Sequence, residues 1–313
     1  MRILVVGAGA LGGYFGGRLK EAGRDVTFLV RPRRAELLAK TGLVVRSPKG
    51  DIKIAAPPTV LAKNLSAPFD LILLSCKAYD LQGAMDSFAP AVGANTAILP
   101  LLNGMKHMDL LAERFGAGAV LGGQCIISAT LDGEGRILHL NDLHFLSFGE
   151  QNGAKSPRVA AIAEAFSGAK FDSQLSTAIL QEMWEKWAFI TAAAGICCLM
   201  RGAFGDIAAA GASQLASDMF GECCAIAAKN GFNPGESAVK RSVGMLTAAG
   251  SPIAASMLRD IERRAPIEAD HIIGDLLARG GARAGDYPLL QIAYAHLRTY
   301  EARRQREKAA ALA

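Results

Sequence analysis

The chain has 313 residues, a formal charge of +5, and about half of its residues apolar. That length buries a sizeable core and suits two domains. The basic residues are scattered, with no dense block interleaved with aromatics, so the composition argues against a nucleic-acid partner and suits an anionic small ligand.

The chain opens "MRILVVGAGALGG", a short apolar run entering a glycine cluster. No small-residue cleavage site follows that run, so no signal peptide is expected and the cytoplasm is the expected location. The first half then alternates strand-like and helix-like segments. Strands are expected in "RILVVG", "DVTFLV", "FDLILLSCK" and "TAILPLL", and helices in "LGGYFGGRLKEAG", "RRAELLAK", "DLQGAMDSFA" and "MDLLAERFG". Such alternation predicts a parallel sheet with helices on both faces. "LVVRSPKGDIKIA" reads as an inserted hairpin turning at "SPKGD". Three further strands, "AVLGGQCIISAT", "GRILHL" and "LHFLSFGE", are expected to close the first domain.

From about Leu175 the β signal stops. "STAILQEMWEKWAFITAAAG", "SQLASDMFGECCAIAAKNG", "GESAVKRSVGMLTAAG", "SMLRDIE" and "IEADHIIGDLLARGG" are helical, several ending at glycine. The run "WAFITAAAGICCLM" is too short for a membrane span and reads as a buried helix. The tail "RTYEARRQREKAAALA" reads as a solvated helix. The prediction is therefore an α/β Rossmann-type domain over 1–173 and an all-α domain over 174–313. Cys76, Cys125, Cys197, Cys198, Cys223 and Cys224 show no CxxC spacing and no nearby histidine, so reduced core thiols and no metal are expected.

Gly7-Ala8-Gly9-Ala10-Leu11-Gly12 fits GxGxxG, lying between an apolar strand and a helix. The first glycine permits the tight turn, the second admits a pyrophosphate, and the third lets helix and strand approach. Amides at the helix start would hold the phosphates. The second strand should end in an acid that binds ribose hydroxyls, but here it runs into Arg31, Pro32, Arg33 and Arg34. A guanidinium pairs with a 2′-phosphate that an acid would repel, so NADPH is expected over NADH. The competing reading is a solvated basic loop.

A nucleotide domain followed by a helical one suggests a substrate cleft between them. Lys77 and Asn103 end successive strands on the ligand-facing edge, although Asn-Gly is also an ordinary turn. Lys186, flanked by Trp184 and Trp187, is either a partly desolvated proton donor or a snorkelling lysine. Ser256, Asp260 and Glu268 lie in a charged helical stretch whose composition alone selects none of them.

These segments together, "GAGALGG", "LLSCKAYD", "LLNGM", "EMWEKWAF" and "SMLRDIERRAPIEAD", resemble the ketopantoate reductase (2-dehydropantoate 2-reductase) family over nearly the whole chain. The resemblance implies a 6-phosphogluconate dehydrogenase-like architecture, bound NADPH/NADP+, and reduction of ketopantoate to pantoate on the route to pantothenate and coenzyme A. It implies Lys186 as proton donor, Glu268 as the carboxylate that binds a substrate hydroxyl and positions that lysine, and Ser256 as the contact to the substrate carboxylate. It further implies Asn103 and Lys77 beside nicotinamide and substrate, Arg31 on the 2′-phosphate, and Gly7, Ala8, Gly9, Ala10, Leu11 and Gly12 around the pyrophosphate.

One departure stands out. The family commonly carries asparagines four and eight residues after the lysine, where this chain has Ile190 and Ala194. Losing two amides leaves an apolar pocket that would admit other branched 2-oxo acids. The alternatives to a ketopantoate reductase are therefore a reductase of a more apolar 2-oxo acid and a non-catalytic NADP-binding sensor. Small-residue faces in the helical half suggest a homodimer.

Overall fold

A computed structural model describes residues 1–281, 283 and 285–311. The chain forms two compact units, Met1–Leu102 with His107–Ile179, and Asn103–Lys106 with the chain from Leu180 onward.

In the first unit, β1 (Arg2–Val6), α1 (Ala10–Glu21), β2 (Asp25–Leu29) and α2 (Pro32–Thr41) follow directly from the alternating pattern. The hairpin β3 (Leu43–Arg46) and β4 (Ile52–Ile54) is antiparallel, as its turn sequence predicts. β5 (Thr59–Val60), β6 (Leu71–Leu74), α3 (Leu81–Phe88), β7 (Ala97–Pro100) and α4 (Lys106–Phe115) complete the alternation. The main sheet is parallel, in the order β5-β2-β1-β6-β7. Strand order reverses at β1, so the carboxyl ends of β2, β1 and β6 lie side by side, where such sheets bind ligands. The wholly apolar strands β6 and β7 are buried throughout, as expected for strands covered on both faces.

β8 (Gly122–Leu131) pairs antiparallel with β9 (Ile137–Gly149). Two strands were expected over "GRILHL" and "LHFLSFGE"; the structure makes one. The Asn141 side chain accepts from the Ser128 amide at 3.1 Å, and an irregularity near Ile127 and Ala129 absorbs the interruption. α5 (Pro157–Phe166) was not foreseen, although Ser156 at its N-cap and Pro157 at its first position are ordinary start signals. β10 (Asp172–Leu175) then pairs parallel with β9. A boundary at 173 would cut this strand; the first unit instead runs to Ile179.

The second unit is helical: α6 (Ile179–Met200), α7 (Phe204–Ala209), α8 (Ser213–Lys229), α9 (Glu236–Leu246), α10 (Ser256–Glu262), α11 (Asp275–Gly280) and α12 (Pro288–Ala310). A single helix was expected over "IEADHIIGDLLARGG"; the segment instead makes a π-helical turn at Asp270–Gly274 before α11 begins. No described helix is long and apolar enough to cross a membrane, and "WAFITAAAGICCLM" lies within α6. Burial raises the thiols of Cys197, Cys198 and Cys223, with Cys198 pushed up to about 12.

The closest approach that supports the glycine turn is at Gly12. A Cβ there would stand 2.1 Å from the Gly7 carbonyl oxygen and 2.2 Å from Ser75 Oγ, whereas one at Gly9 would meet nothing within 4 Å. Gly12→Ala is expected to destabilise the protein by about 1–3 kcal/mol, and Gly9→Ala by less than about 0.5 kcal/mol. Urea unfolding reads both; a Gly12→Ala midpoint equal to wild type would show that α1 is not held tightly on β1.

Candidate active site

The first cluster of candidate residues sits at the carboxyl ends of β1, β2 and β6. Gly7 leaves β1 with φ +92°, a conformation that side chains rarely adopt, and its amide donates to the Leu29 carbonyl at 2.9 Å. Ser75 Oγ donates to the Val6 carbonyl at 3.0 Å. Gly9 is the N-cap of α1 and offers no side-chain cap, so the amides of Ala10, Leu11 and Gly12 open the helix without intrahelical acceptors. With open space above Gly9, this turn fits a dinucleotide pyrophosphate held by backbone N–H groups.

At its carboxyl end β2 runs through Val30 into Arg31 rather than into an acid. Asp25 begins that strand, and Arg31 follows its end as the N-cap residue of α2. Arg31 is exposed, and its Nη2 lies 2.7 Å from Asp80 Oδ1; this hydrogen bond holds the guanidinium more firmly charged. Arg34 corrects the reading of the arginines as one solvated or phosphate-binding loop. Its Nε donates to the Ala8 carbonyl at 2.9 Å and its Nη1 to the Gly135 carbonyl at 2.8 Å, so it ties the glycine turn to the β8–β9 connection. Burial lowers its pKa, and its Nη2 is buried without a hydrogen-bond partner. Lys77 is half-buried at the head of the short 3-10 turn Ala78–Asp80, beyond β6.

A second cluster belongs to the helical unit, and its organiser is the segment running from Ile267 through the π turn. α12 fixes this segment. Glu301 accepts from the Ile267 amide at 2.8 Å, Tyr300 donates to the Ala265 carbonyl at 2.8 Å, and Tyr294 donates to Asp270 Oδ1 at 2.8 Å. From α6, Trp187 Nε1 donates to the Ile272 carbonyl at 3.0 Å. The Asn103-Gly104 corner reaches the same turn. A Cβ at Gly104, whose φ is +83°, would lie 3.0 Å from the His271 carbonyl oxygen and 3.1 Å from its ring. His271 is buried, and its ring hydrogen-bonds the Asn103 backbone. Burial pushes its imidazole below the usual value, while Glu268 and Asp275 pull the other way.

Three candidates neighbour this turn along the chain or through a neighbouring residue. Glu268 lies on its leading segment, Asn103 packs against it, and Lys186 precedes the tryptophan that anchors it. All three are half-buried. The tryptophans around Lys186 are themselves core: Trp184 stacks on Phe232 at 5.3 Å and Trp187 is 1% exposed.

Lys186, Ile190, Ala194 and Cys197 share one face of α6 by helical spacing. The Cys197 sulfur meets the Ala255 backbone, which puts Ser256, exposed at the start of α10, toward the far end of that face. Thr191 does not replace the missing amides. It lies with Trp187 and Gly195 on another side of α6, fully buried, its hydroxyl without a partner. Sequence reasoning missed Ser75, Arg34, Trp187 as an anchor, and His271. Only the glycine spacing and the paired tryptophans hinted that these positions were constrained.

Comparison with known proteins identifies the family. The profile "Ketopantoate reductase PanE/ApbA" matches residues 3–153, and "Ketopantoate reductase PanE/ApbA C terminal" matches residues 178–301. The chain is 39% identical over 303 residues to the uncharacterised oxidoreductase YkpB of Bacillus subtilis, covering 96% of this chain and 99% of that protein. The crystal structure of 2-dehydropantoate 2-reductase from Methylococcus capsulatus superposes with a TM-score of 0.86 at 28% identity, covering 97% of this chain and 98% of that one. D-mandelate dehydrogenase, solved with NADH and anilino(oxo)acetate, shares the fold, with a TM-score of 0.85 at 20% identity and coverage of 97% and 100%. Matched across both of its units, the chain belongs to the ketopantoate reductase PanE/ApbA family of oxidoreductases.

Proposed function

We propose that this protein reduces 2-dehydropantoate to pantoate with NADPH. What supports the reading is the braced turn at Asp270–Gly274: it closely follows Glu268 in the chain, accepts the Trp187 Nε1–H bond one residue after Lys186, and packs His271 against Gly104 next to Asn103. When bound, the dihydronicotinamide supplies the hydride that reaches the substrate carbonyl carbon. Negative charge then builds on the carbonyl oxygen. The Lys186 ammonium hydrogen-bonds that oxygen and gives it a proton, stabilising the developing charge as it does so. Glu268 accepts from a substrate hydroxyl and orients Lys186. Ser256 contacts the substrate carboxylate, and Lys77 and Asn103 line the reacting end. The amides from Gly7 to Gly12 hold the pyrophosphate, and Arg31 takes the 2′-phosphate.

A second reading keeps the reaction and changes the substrate. Ile190 and Ala194 give the α6 face beyond Lys186 no amide or hydroxyl, which favours a 2-oxo acid with a branched apolar side chain. A steady-state assay of NADPH loss with 2-dehydropantoate and a panel of branched 2-oxo acids ranks the two readings by kcat/KM. No turnover with any of them, alongside firm NADPH binding, would overturn both in favour of a cofactor-binding sensor.

Lys186→Ala is expected to lower kcat by about 10²–10⁴-fold while NADPH affinity stays near wild type. Full activity in that variant would remove Lys186 from the proton transfer. Arg31→Ala is expected to weaken NADPH by about tenfold or more and NADH far less, measured as Kd by nicotinamide fluorescence. Equal losses for both cofactors would overturn its phosphate role.

A further inference from the structure

We infer that Asp80 is a specificity-determining residue which weakens this protein's preference for a 2′-phosphorylated dinucleotide. The inference rests on the assignment of Arg31 to the 2′-phosphate.

Arg31 and Asp80 come from opposite sides of the glycine turn. One follows β2 and the other lies beyond β6, and these strands flank β1 in the sheet. Their ion pair, 2.7 Å from Arg31 Nη2 to Asp80 Oδ1, therefore spans the carboxyl end of β1 where the turn begins. Local structure does not account for the carboxylate. Asp80 occupies the N-cap position of α3 yet makes no side-chain cap bond; it turns to Arg31 instead. Stability does not account for it either, because the side chains are 76% and 36% exposed and such pairs contribute little.

The pair has a direct consequence for an incoming phosphate. A phosphate monoester carries a charge of about −1.5 to −2 at neutral pH and seeks the full guanidinium fork. Here one arm of that fork is already taken by a carboxylate, so a phosphate seated on Arg31 lies within a few ångströms of a like charge. A cofactor with free ribose hydroxyls brings no charge to this position and meets no such penalty. Arg31 favours the phosphorylated cofactor, and Asp80 offsets part of that gain.

Asp80→Asn isolates the charge, because its amide oxygen still accepts from Arg31 Nη2 and keeps the guanidinium in place. The experiment measures Kd for NADPH and for NADH by nicotinamide fluorescence in wild type, Asp80→Asn and Arg31→Ala. Asp80→Asn is expected to tighten NADPH by about tenfold at low salt, with NADH unchanged within about twofold and the gain shrinking as salt rises. NADPH binding that is unchanged or weaker would overturn the inference, since Asp80 would then only aim Arg31. NADH weakened by the substitution would also overturn it, since Asp80 would then be a ribose ligand. If Arg31→Ala selectively loses NADPH while Asp80→Asn is silent, the phosphate role of Arg31 stands and this inference alone fails. Equal losses of both cofactors in Arg31→Ala would overturn both.

Discussion

The Gly7 carbonyl stands where a side chain at position 12 would have to go, and the first unit is organised around that contact. Because Gly12 has no Cβ, α1 can start immediately beside the end of β1. Ser75 closes the same gap from β6 by donating to the Val6 carbonyl. Arg34 fixes the outer side of the turn through the Ala8 carbonyl. Two side chains and one close backbone approach thus hold a loop whose own residues are almost devoid of side chains. Rigidity is supplied from outside the motif, which leaves the amide face open above Gly9.

The helical unit solves a comparable problem by other means. A π turn places one extra residue in a helical circuit, and such turns occur often at functional sites. Here it breaks the segment between Glu268 and α11, so the chain can meet α6, α12 and the Asn103 corner at once. His271 is central to this junction because one residue supplies a ring that bonds the Asn103 backbone and a carbonyl against which Gly104 packs. Its burial favours the neutral imidazole, so the junction forms without placing another full charge among Glu268, Asp275 and Lys106.

Local pattern carried much of the architecture. The four strands and four helices of the opening alternation read correctly because each has one period and a clear glycine, proline or polar stop. Errors arose where a distant partner decided the outcome. Nothing near Asn141 shows that its side chain will accept from Ser128 and carry one strand across an apparent break. β10 has only four residues, three of them exposed, and it exists because β9 pairs with it. The π turn likewise depends on tertiary contacts with α12. In the candidate site, the glycine turn was legible because its conformational demands are local. The role of Arg34 was not, since its neighbours Ala8 and Gly135 lie far from it in sequence. His271 was invisible for the same reason: its significance lies in touching Gly104.

The assignment of Asn103–Lys106 to the helical unit has a further consequence. The chain passes from one unit to the other three times, after Leu102, after Lys106 and after Ile179. No single scission can therefore yield two intact halves. A fragment ending at Ile179 would keep the Asn103 corner but lack the surface built by His271, while the complementary fragment would keep that surface with no corner to receive. Fragment complementation, circular permutation and domain exchange with relatives all have to respect this interleaving, moving the four-residue loop together with the helices it packs against.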